Sequence, residues 1–403
     1  MNDNHIDMIT DAPAIGRARA PAFLCFLIAA LEGYDIQCFG VAAPVLAREL
    51  GLDNSAVGVA GSAAMMGLVI GAFAGGWLAE RRGPKIVLIV STVLFALFSL
   101  ATAFAQSFDA LLATRFATGI GFGGAMPNLV AVAVRLRPGG KHAALTTAIF
   151  CGMPVGGALV ALLAKNMGGD VDWRMLFLIG GIAPLVLVPV IAYLLPPFAP
   201  LPREERQSTL RSALFDQKRW VTTILLWMAF GLTLLLLYLL LNWLPTLIVA
   251  KQFAVADGAT ASLGFNLGGV VGSLALGLAA TRYGFRWPIL LGFGLLFSGI
   301  LLLLQTQSFV AMLVSAVAIG AAVVGLQYLL YALAPIAYPP STSVAASGAA
   351  IGMGRFGSIA GPLLAGQIRE AGVSAEGLLA ILLPVVVAAG IAATWASSRI
   401  KAD

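Results

Sequence analysis

Charged residues are scarce in this chain, where Asp, Glu, Lys and Arg make up 10% of the 403 residues and hydrophobic residues make up 60%. Soluble domains carry roughly 25% charged residues, so the composition excludes an ordinary water-soluble fold. Apolar runs of about 20 residues recur instead, which is the length that a helix needs to cross a bilayer. The short alternating segments of a membrane β-barrel are missing. We therefore predict an all-α polytopic membrane protein.

Cysteine and histidine are rarer still than the charged residues. The three cysteines, Cys25, Cys38 and Cys151, fall within apolar runs, which argues against a disulfide framework. The two histidines, His5 and His142, lie in polar segments. Because the spans contain no His/Cys cluster and no nucleophile beside a base, we expect neither an enzyme nor a bound metal or cofactor.

Proline, glycine and charge clusters divide the apolar sequence into twelve predicted spans. The first six are residues 21–48, 57–80, 84–106, 109–135, 143–165 and 173–195. The second six are residues 220–250, 257–281, 286–306, 309–338, 345–369 and 375–399. We thus predict two six-helix bundles, 21–195 and 220–399, joined by a polar linker, 196–219, with tails at 1–20 and 400–403.

The Lys and Arg residues outside the spans are distributed unevenly. Segments on the side of the N-terminus hold 17 of them, and segments on the opposite side hold 5. Basic loops stay in the cytoplasm, so we expect both termini to be cytoplasmic. The net charge of +6 then reflects topology and implies no nucleic-acid partner.

The two halves also resemble each other. The stretch "GWLAERRGPK" (76–85) matches "GLAATRYGFR" (277–286) at an offset of 201 residues, and "CGMPVGG" (151–157) lies over "GMGRFGS" (352–358) at the same offset. Parallel repeats of this kind are typical of transporters whose substrate site lies near mid-membrane between the halves.

Four ionisable residues fall within the predicted spans: Glu32, Asp35, Arg115 and Arg355. At 1.5 Å per residue, Glu32, Asp35 and Arg355 lie at a similar depth, while Arg115 is only about two turns inside its span. Such residues face a bundle interior and mark ion or substrate routes. Glu32 and Asp35 share a helix face, and two close carboxylates disfavour joint ionisation, so we expect one to carry a proton.

The arginines keep their charge and suit either an ion pair or an anionic substrate. A purely structural pair is an open alternative: Glu32 or Asp35 with Arg115, holding the first span against the fourth, or Asp35 with Arg355 between the halves. If Glu32 pairs with Arg115, Asp35 is the first candidate for the transported proton. Arg355, from the other half, is then the candidate for a substrate carboxylate.

Several motifs carry a family resemblance: "EGYD" (32–35), the loop 76–85, "RFATGIGFGGAMPN" (115–128), "NWLPTL" (242–247) and "GRFGSIAGPLLAG" (354–366). Together they resemble the major facilitator superfamily, and within it the aromatic acid:proton symporters, nearest to hydroxyphenylpropionate carriers. The resemblance implies the major facilitator fold and proton-coupled uptake of a small aromatic carboxylate across the bacterial inner membrane, by a monomer in the lipid bilayer. Its gating loop maps onto Gly76, Glu80, Arg81, Gly83 and Lys85.

An aromatic acid also needs a slot for its ring and partners for its hydroxyls. The candidates, besides Arg355 and Arg115, are Tyr34, Asn128, Asn242, Trp243, Gln327, Tyr328 and Tyr331. Pro245 is expected to break the seventh span near the cavity. For each candidate, an interhelical hydrogen bond is the alternative to substrate contact. Three alternative functions remain open: transport of another small organic acid, export of a drug or metabolite, and a role as a sensor or membrane enzyme.

Overall fold

The computed structural model describes residues 19–136, 142–167, 171–198, 214–215, 219–338 and 343–400. The predicted tails, apart from residues 19, 20 and 400, and most of the predicted linker lie outside this range. Within it every regular element is helical.

The first half of the chain forms α1 (Arg19–Leu50), α2 (Asn54–Arg82), α3 (Pro84–Ala103), α4 (Phe108–Leu136), α5 (His142–Phe150), α6 (Gly152–Asn166) and α7 (Trp173–Leu194). The second half forms α8 (Trp220–Ala250), α9 (Val255–Tyr283), α10 (Arg286–Gln305), α11 (Phe309–Leu333), α12 (Ser343–Glu370) and α13 (Ala375–Arg399). With α5 and α6 counted as one segment, the helices correspond to the twelve predicted spans.

Eleven helical segments of the described chain are long and apolar enough to cross a membrane. The helix α12 is not among them, although it is 28 residues long, because its glycines, its serines and Arg355 lower its hydropathy. Successive spans run in opposite directions. One side of the membrane protein therefore holds the start of α1, the start of α8 and the end of α13. We call this side, which also carries Leu214, the linker face, and the opposite side the far face.

The fifth span differs from the prediction because it is broken at Cys151, between α5 and α6. Pro154 explains the break: it has no N–H to donate to the carbonyl of Phe150, and its ring crowds that carbonyl. The seventh span differs in the opposite sense. The helix α8 continues through Pro245, and only the carbonyl of Leu241, four residues earlier, loses its main-chain donor.

Close helix contacts repeat with the 201-residue offset found in the sequence. A Cβ at Gly67 or Gly71 of α2 would overlap the backbone of Phe116 or Ile120 in α4. A Cβ at Gly268 or Gly272 of α9 would overlap Val317 or Ala321 of α11, and each of these positions is 201 residues further along. Small residues allow membrane helices to approach this closely. The internal repeat is thus present in the packing.

The two halves meet mainly along three helix pairs: α1 with α8, α2 with α12, and α6 with α9. Toward the far face, Ser62 Oγ donates to the carbonyl of Ile359 (2.7 Å), and the main-chain N–H of Asn54 donates to Glu370 (3.1 Å). Gly58 of α2 also lies against the backbone of Pro362 and Gly366 in α12. These contacts close the space between the halves at the far face.

Candidate functional site

A cavity of about 1010 Å³ lies between the halves, which is the size expected of a small-molecule site. Its walls come from both halves, and it runs from Gln37 and Asn266 in the interior to Leu214, Pro335 and Gly348 at the linker face. Most of the lining is apolar. Among the described lining residues, Arg355 alone is charged.

Arg355 projects from α12 into the middle of this cavity. Its Nη1 donates to the hydroxyl of Tyr238 (3.5 Å), and Nη2 approaches the sulfur of Met126 (3.2 Å). A guanidinium has five N–H donors, and the described residues give Arg355 no salt bridge within 4.0 Å. Arg355 therefore keeps donors for an anion in the cavity.

Glu32 is fully buried in α1 and borders the cavity through its neighbour Gly33. Neither of its carboxylate oxygens has a hydrogen-bond partner among the described residues. The positive charge of Arg355 acts on it across the gap between the halves. A buried charge without hydrogen bonds is costly, whereas a neutral carboxyl avoids most of this cost. Glu32 is thus a buried carboxyl whose oxygens the described residues leave without hydrogen bonds.

Asp35 forms a buried ion pair with Arg115, with 2.5 Å between Oδ1 and Nη1. The guanidinium also lies 5.6 Å and 5.5 Å from the ring centroids of Phe39 and Phe177. The pair holds α1 against α4 within the first half. Of the two acids considered as partners of Arg115, Asp35 forms the pair and Glu32 does not. Asp35 lies about 4.5 Å nearer the far face than Glu32 does. Arg115 also lies toward the far face, because α4 begins there.

Three of the predicted substrate candidates line the cavity: Gln327, Tyr328 and Tyr331 of α11. Gln327 is 2% exposed, and neither atom of its amide has a hydrogen-bond partner among the described residues. The Tyr331 ring lies 5.6 Å from the Phe230 ring and 6.4 Å from the Tyr328 ring. This arrangement offers an aromatic wall with an unpaired amide beside it.

The other four candidates are used in helix packing and do not line the cavity. Tyr34 donates to the carbonyl of Leu176 (3.1 Å), and Asn128 to that of Gly124 (2.8 Å). Asn242 donates to the carbonyl of Tyr238 (2.8 Å), and Trp243 to that of Pro362 (3.1 Å). Tyr34 and Trp243 thus make the interhelical hydrogen bond considered as the alternative, whereas Asn128 and Asn242 bond within their own helices.

The cavity lining also contains polar residues that were not singled out in the sequence, among them Gln37, Tyr238 and Asn266. Gln37 donates to the carbonyl of Leu241 (3.0 Å) and accepts from Asn266 (3.3 Å), so it joins the two halves. Tyr238 and Asn266 lie in apolar runs and Gln37 follows Asp35 on the same span, and polar residues within spans face a bundle interior. That rule could have found them. Gln37 and Tyr238 are themselves 201 residues apart.

The carbonyls that Pro245 and Pro154 leave without a main-chain donor both accept a hydrogen bond from the other half. Pro245 frees Leu241, which accepts from Gln37 of the first half. Pro154 frees Phe150, which accepts from the hydroxyl of Tyr328 in the second half (2.9 Å). A side chain of each half therefore donates a hydrogen bond to a main-chain carbonyl of the other half.

The loop motif at the linker face keeps its backbone geometry in both halves. Gly83 has φ +80° and Gly284 has φ +72°, a conformation that favours glycine. Arg81 lies over the Trp77 ring (3.9 Å to the centroid), and Gly76 has open space around it. Glu80 and Lys85 form no salt bridge with another described residue.

Comparisons with known proteins agree with this architecture. The family model of the Major Facilitator Superfamily matches residues 25–264. The 3-(3-hydroxy-phenyl)propionate transporter of Escherichia coli is 37% identical over 376 residues, which cover 93% of each chain. The 4-hydroxybenzoate transporter PcaK of Pseudomonas aeruginosa is 32% identical over 402 residues, covering 91% of this chain and 89% of its own.

Among solved structures, a point mutant of the nucleoside transporter NupG has the same fold, with a TM-score of 0.78 at 16% identity, over 94% of this chain and 99% of its own. The relatives are transporters and not enzymes, and the family inferred from the motifs is confirmed. The chain is a multi-pass membrane transporter that belongs to the major facilitator superfamily.

Proposed function

We propose that this protein imports a small aromatic carboxylate, most specifically a hydroxyphenylpropionate, together with protons. Its relatives are named for hydroxyphenylpropionate and 4-hydroxybenzoate, which are both hydroxylated aromatic acids. The observation that carries the proposal is the juxtaposition of Arg355, the one charged residue in the described cavity lining, with the unpartnered Glu32.

In the proposed cycle, the substrate carboxylate binds the guanidinium of Arg355, and the ring lies against Tyr328 and Tyr331. Ionised Glu32 competes with the substrate for Arg355. A proton on Glu32 removes that competition, so proton and carboxylate favour each other's binding. Binding energies coupled in this way are reciprocal, which makes the proton gradient able to drive accumulation of the acid.

The coupling role moves from Asp35, the first candidate in the sequence, to Glu32. Asp35 is committed to Arg115 by a buried ion pair, and breaking such a pair costs roughly 3–5 kcal/mol. Glu32 has no such partner to lose. Alternating access then requires the halves 21–195 and 220–399 to rock about the cavity, with Glu32 and Arg355 on opposite sides of it.

The proposed orientation follows from the 17 basic residues on the linker face and the 5 on the far face. The linker face, the two termini and the cavity opening are then cytoplasmic, and the membrane is the bacterial inner membrane. The contacts at the far face correspond to a closed outer gate. We propose a monomer as the working unit and expect no bound cofactor.

Uptake into proteoliposomes tests the proposal. Purified protein should accumulate radiolabelled 3-(3-hydroxyphenyl)propionate when the outside is made acidic, and a protonophore should abolish the accumulation. Arg355→Ala should lose uptake, and Arg355→Lys should restore it only in part because the forked donor is lost. Arg369→Ala, on the same helix but outside the cavity, should retain uptake.

Glu32→Gln separates coupling from binding. A permanently neutral residue should still support exchange of labelled for unlabelled acid, while accumulation driven by the proton gradient disappears. If Glu32→Gln accumulates substrate as the wild type does, the coupling role is wrong. If Arg355→Ala does so, the anion site is wrong.

A carrier of another small organic acid, or a proton-coupled drug or metabolite exporter, is the alternative function. Arg355 favours an anion over the cations that many drug exporters carry. Competition by a panel of unlabelled aromatic and aliphatic acids decides the cargo, and release from preloaded vesicles decides the direction.

A further inference from the structure

A second cavity, of about 780 Å³, lies on the outer surface of the bundle between α10 and α13. Its lining residues come from these two helices alone and are mostly apolar. Gly294 forms part of its floor, and a Cβ there would meet nothing within 4 Å. The cavity is therefore a groove that faces the lipid and is separate from the central site.

The groove has a polar end and an apolar body. Arg286, the first residue of α10, lies at the linker face, and Trp395 and Ser398 lie at the same end. Arg399 stacks beside the Trp395 ring (5.7 Å), and the exposed Trp287 and Tyr283 lie nearby in sequence. Exposed aromatic residues of this kind mark the headgroup level of a bilayer.

The length of the groove matches one leaflet. It extends along α10 from Arg286 to Ser298, which is about 18 Å at 1.5 Å per residue. Half of a bilayer's hydrocarbon core is about 15 Å thick. One acyl chain can thus occupy the groove while its headgroup stays at Arg286.

Charge selects the kind of headgroup. No salt bridge to Arg286 is present among the described residues, so its guanidinium is available to a phosphate. Basic pockets between membrane helices on the cytoplasmic side bind anionic headgroups. Deeper in the groove, the hydroxyl of Thr394 is buried without a hydrogen-bond partner. We propose that this groove is a binding site for one anionic phospholipid of the linker-face leaflet.

The internal repeat supplies a matched control. The position 201 residues before Arg286 is Lys85, which gives the first half the same charge at the start of α3. The positions equivalent to Gly294 and Gly390 are Val93 and Pro189, so the first half has side chains where the groove has its glycines. Lys85 thus tests surface charge without the groove.

Trp395 is the reporter. The protein is reconstituted in phosphatidylcholine vesicles to which one brominated lipid is added, either brominated phosphatidylglycerol or brominated phosphatidylcholine. The part of the fluorescence quenching that is lost in Trp395→Phe is assigned to Trp395. We expect brominated phosphatidylglycerol to quench Trp395 at about a fivefold lower mole fraction, the preference expected for one arginine near the surface.

Arg286→Ala should bring the ratio of the two lipids close to one, and Lys85→Ala should leave it unchanged. Gly294→Val, which copies Val93 into the open space, should reduce quenching by both lipids. Equal quenching by the two lipids in the wild type would overturn the proposal, as would an unchanged ratio in Arg286→Ala. An equal loss in Lys85→Ala and Arg286→Ala would show general surface attraction and would also overturn it.

Discussion

The hydroxyl of Tyr328, in the second half, donates a hydrogen bond of 2.9 Å to the main-chain carbonyl of Phe150, in the first half. Pro154 makes this carbonyl available because it cannot donate to it within the helix. The bond lies on the linker-face side of the central cavity and ties the two halves together there, beside the cavity opening.

Tyr328→Phe removes this bond and keeps the ring, so we expect the linker-face side to open more often. Cys151, next to Phe150, is half-buried, whereas Cys25 and Cys38 are fully buried. One neutral hydrogen bond is worth about 0.5–1.5 kcal/mol, which predicts a two- to tenfold faster reaction of Cys151 with N-ethylmaleimide. Tyr331→Phe is the control and should leave the rate unchanged; an unchanged rate in Tyr328→Phe would argue against a closing role.

The Asp35–Arg115 pair predicts a stability effect that Glu32 does not share. Asp35→Asn leaves the buried guanidinium of Arg115 without a counter-charge, which costs roughly 3–5 kcal/mol. The melting temperature in detergent should fall markedly, and adding Arg115→Gln should recover most of the loss. Glu32→Gln should melt close to the wild type. Equal destabilisation by Asp35→Asn and Glu32→Gln would contradict the different roles assigned to them.

Gln327 predicts selectivity for a ring hydroxyl, if the proposed substrate class is right. Its amide is buried beside the aromatic wall with both polar atoms unpaired. A site built to bind a hydroxyl discriminates strongly against the analogue that lacks it. Gln327→Leu should therefore lower uptake of 3-(3-hydroxyphenyl)propionate by tenfold or more relative to 3-phenylpropionate. A ratio unaffected by this change would assign the hydroxyl to another residue.

The glycine contacts predict equal effects in the two halves. Gly71→Ala and Gly272→Ala both place a Cβ on the backbone of a neighbouring helix, so both should lower the melting temperature. Gly76→Ala and Gly277→Ala are also 201 residues apart, but their Cβ positions are open, and stability should be unchanged or slightly higher. A harmless Gly272→Ala would mean that the second half repacks where the first does not.

The helices were predictable because apolar runs of membrane length have one solution in a bilayer. Their breaks were less so. Two prolines inside spans had opposite results, since α8 continues through Pro245 while the fifth span breaks before Pro154. A proline only removes a donor and adds a clash. Both freed carbonyls accept a hydrogen bond, from Tyr328 and from Gln37, so the loss of the main-chain donor does not by itself decide whether the helix breaks.

The depth of the four charges within the spans was also predictable, but their partners were not. Depth along a helix follows from counting residues, whereas a partner depends on how each helix is rotated about its axis. Asp35 and Glu32 lie on one helix face, and a single turn decides which neighbour each meets. The same limit explains why Asn242 and Trp243 were expected at the cavity and pack elsewhere, while Tyr238 lines it.

The location of the Asp35–Arg115 pair has a consequence for how the protein is made. Both partners belong to the first 136 residues, so the ribosome has produced them long before it reaches α8. A charge within the bilayer costs roughly 2.5–3.5 kcal/mol on insertion, and these two can neutralise each other early. The charge that faces Glu32, on Arg355, is synthesised more than 300 residues later in the chain. During biogenesis the first half can therefore insert into the membrane with Asp35 and Arg115 already paired. Glu32 comes to face Arg355 only after the second half has inserted.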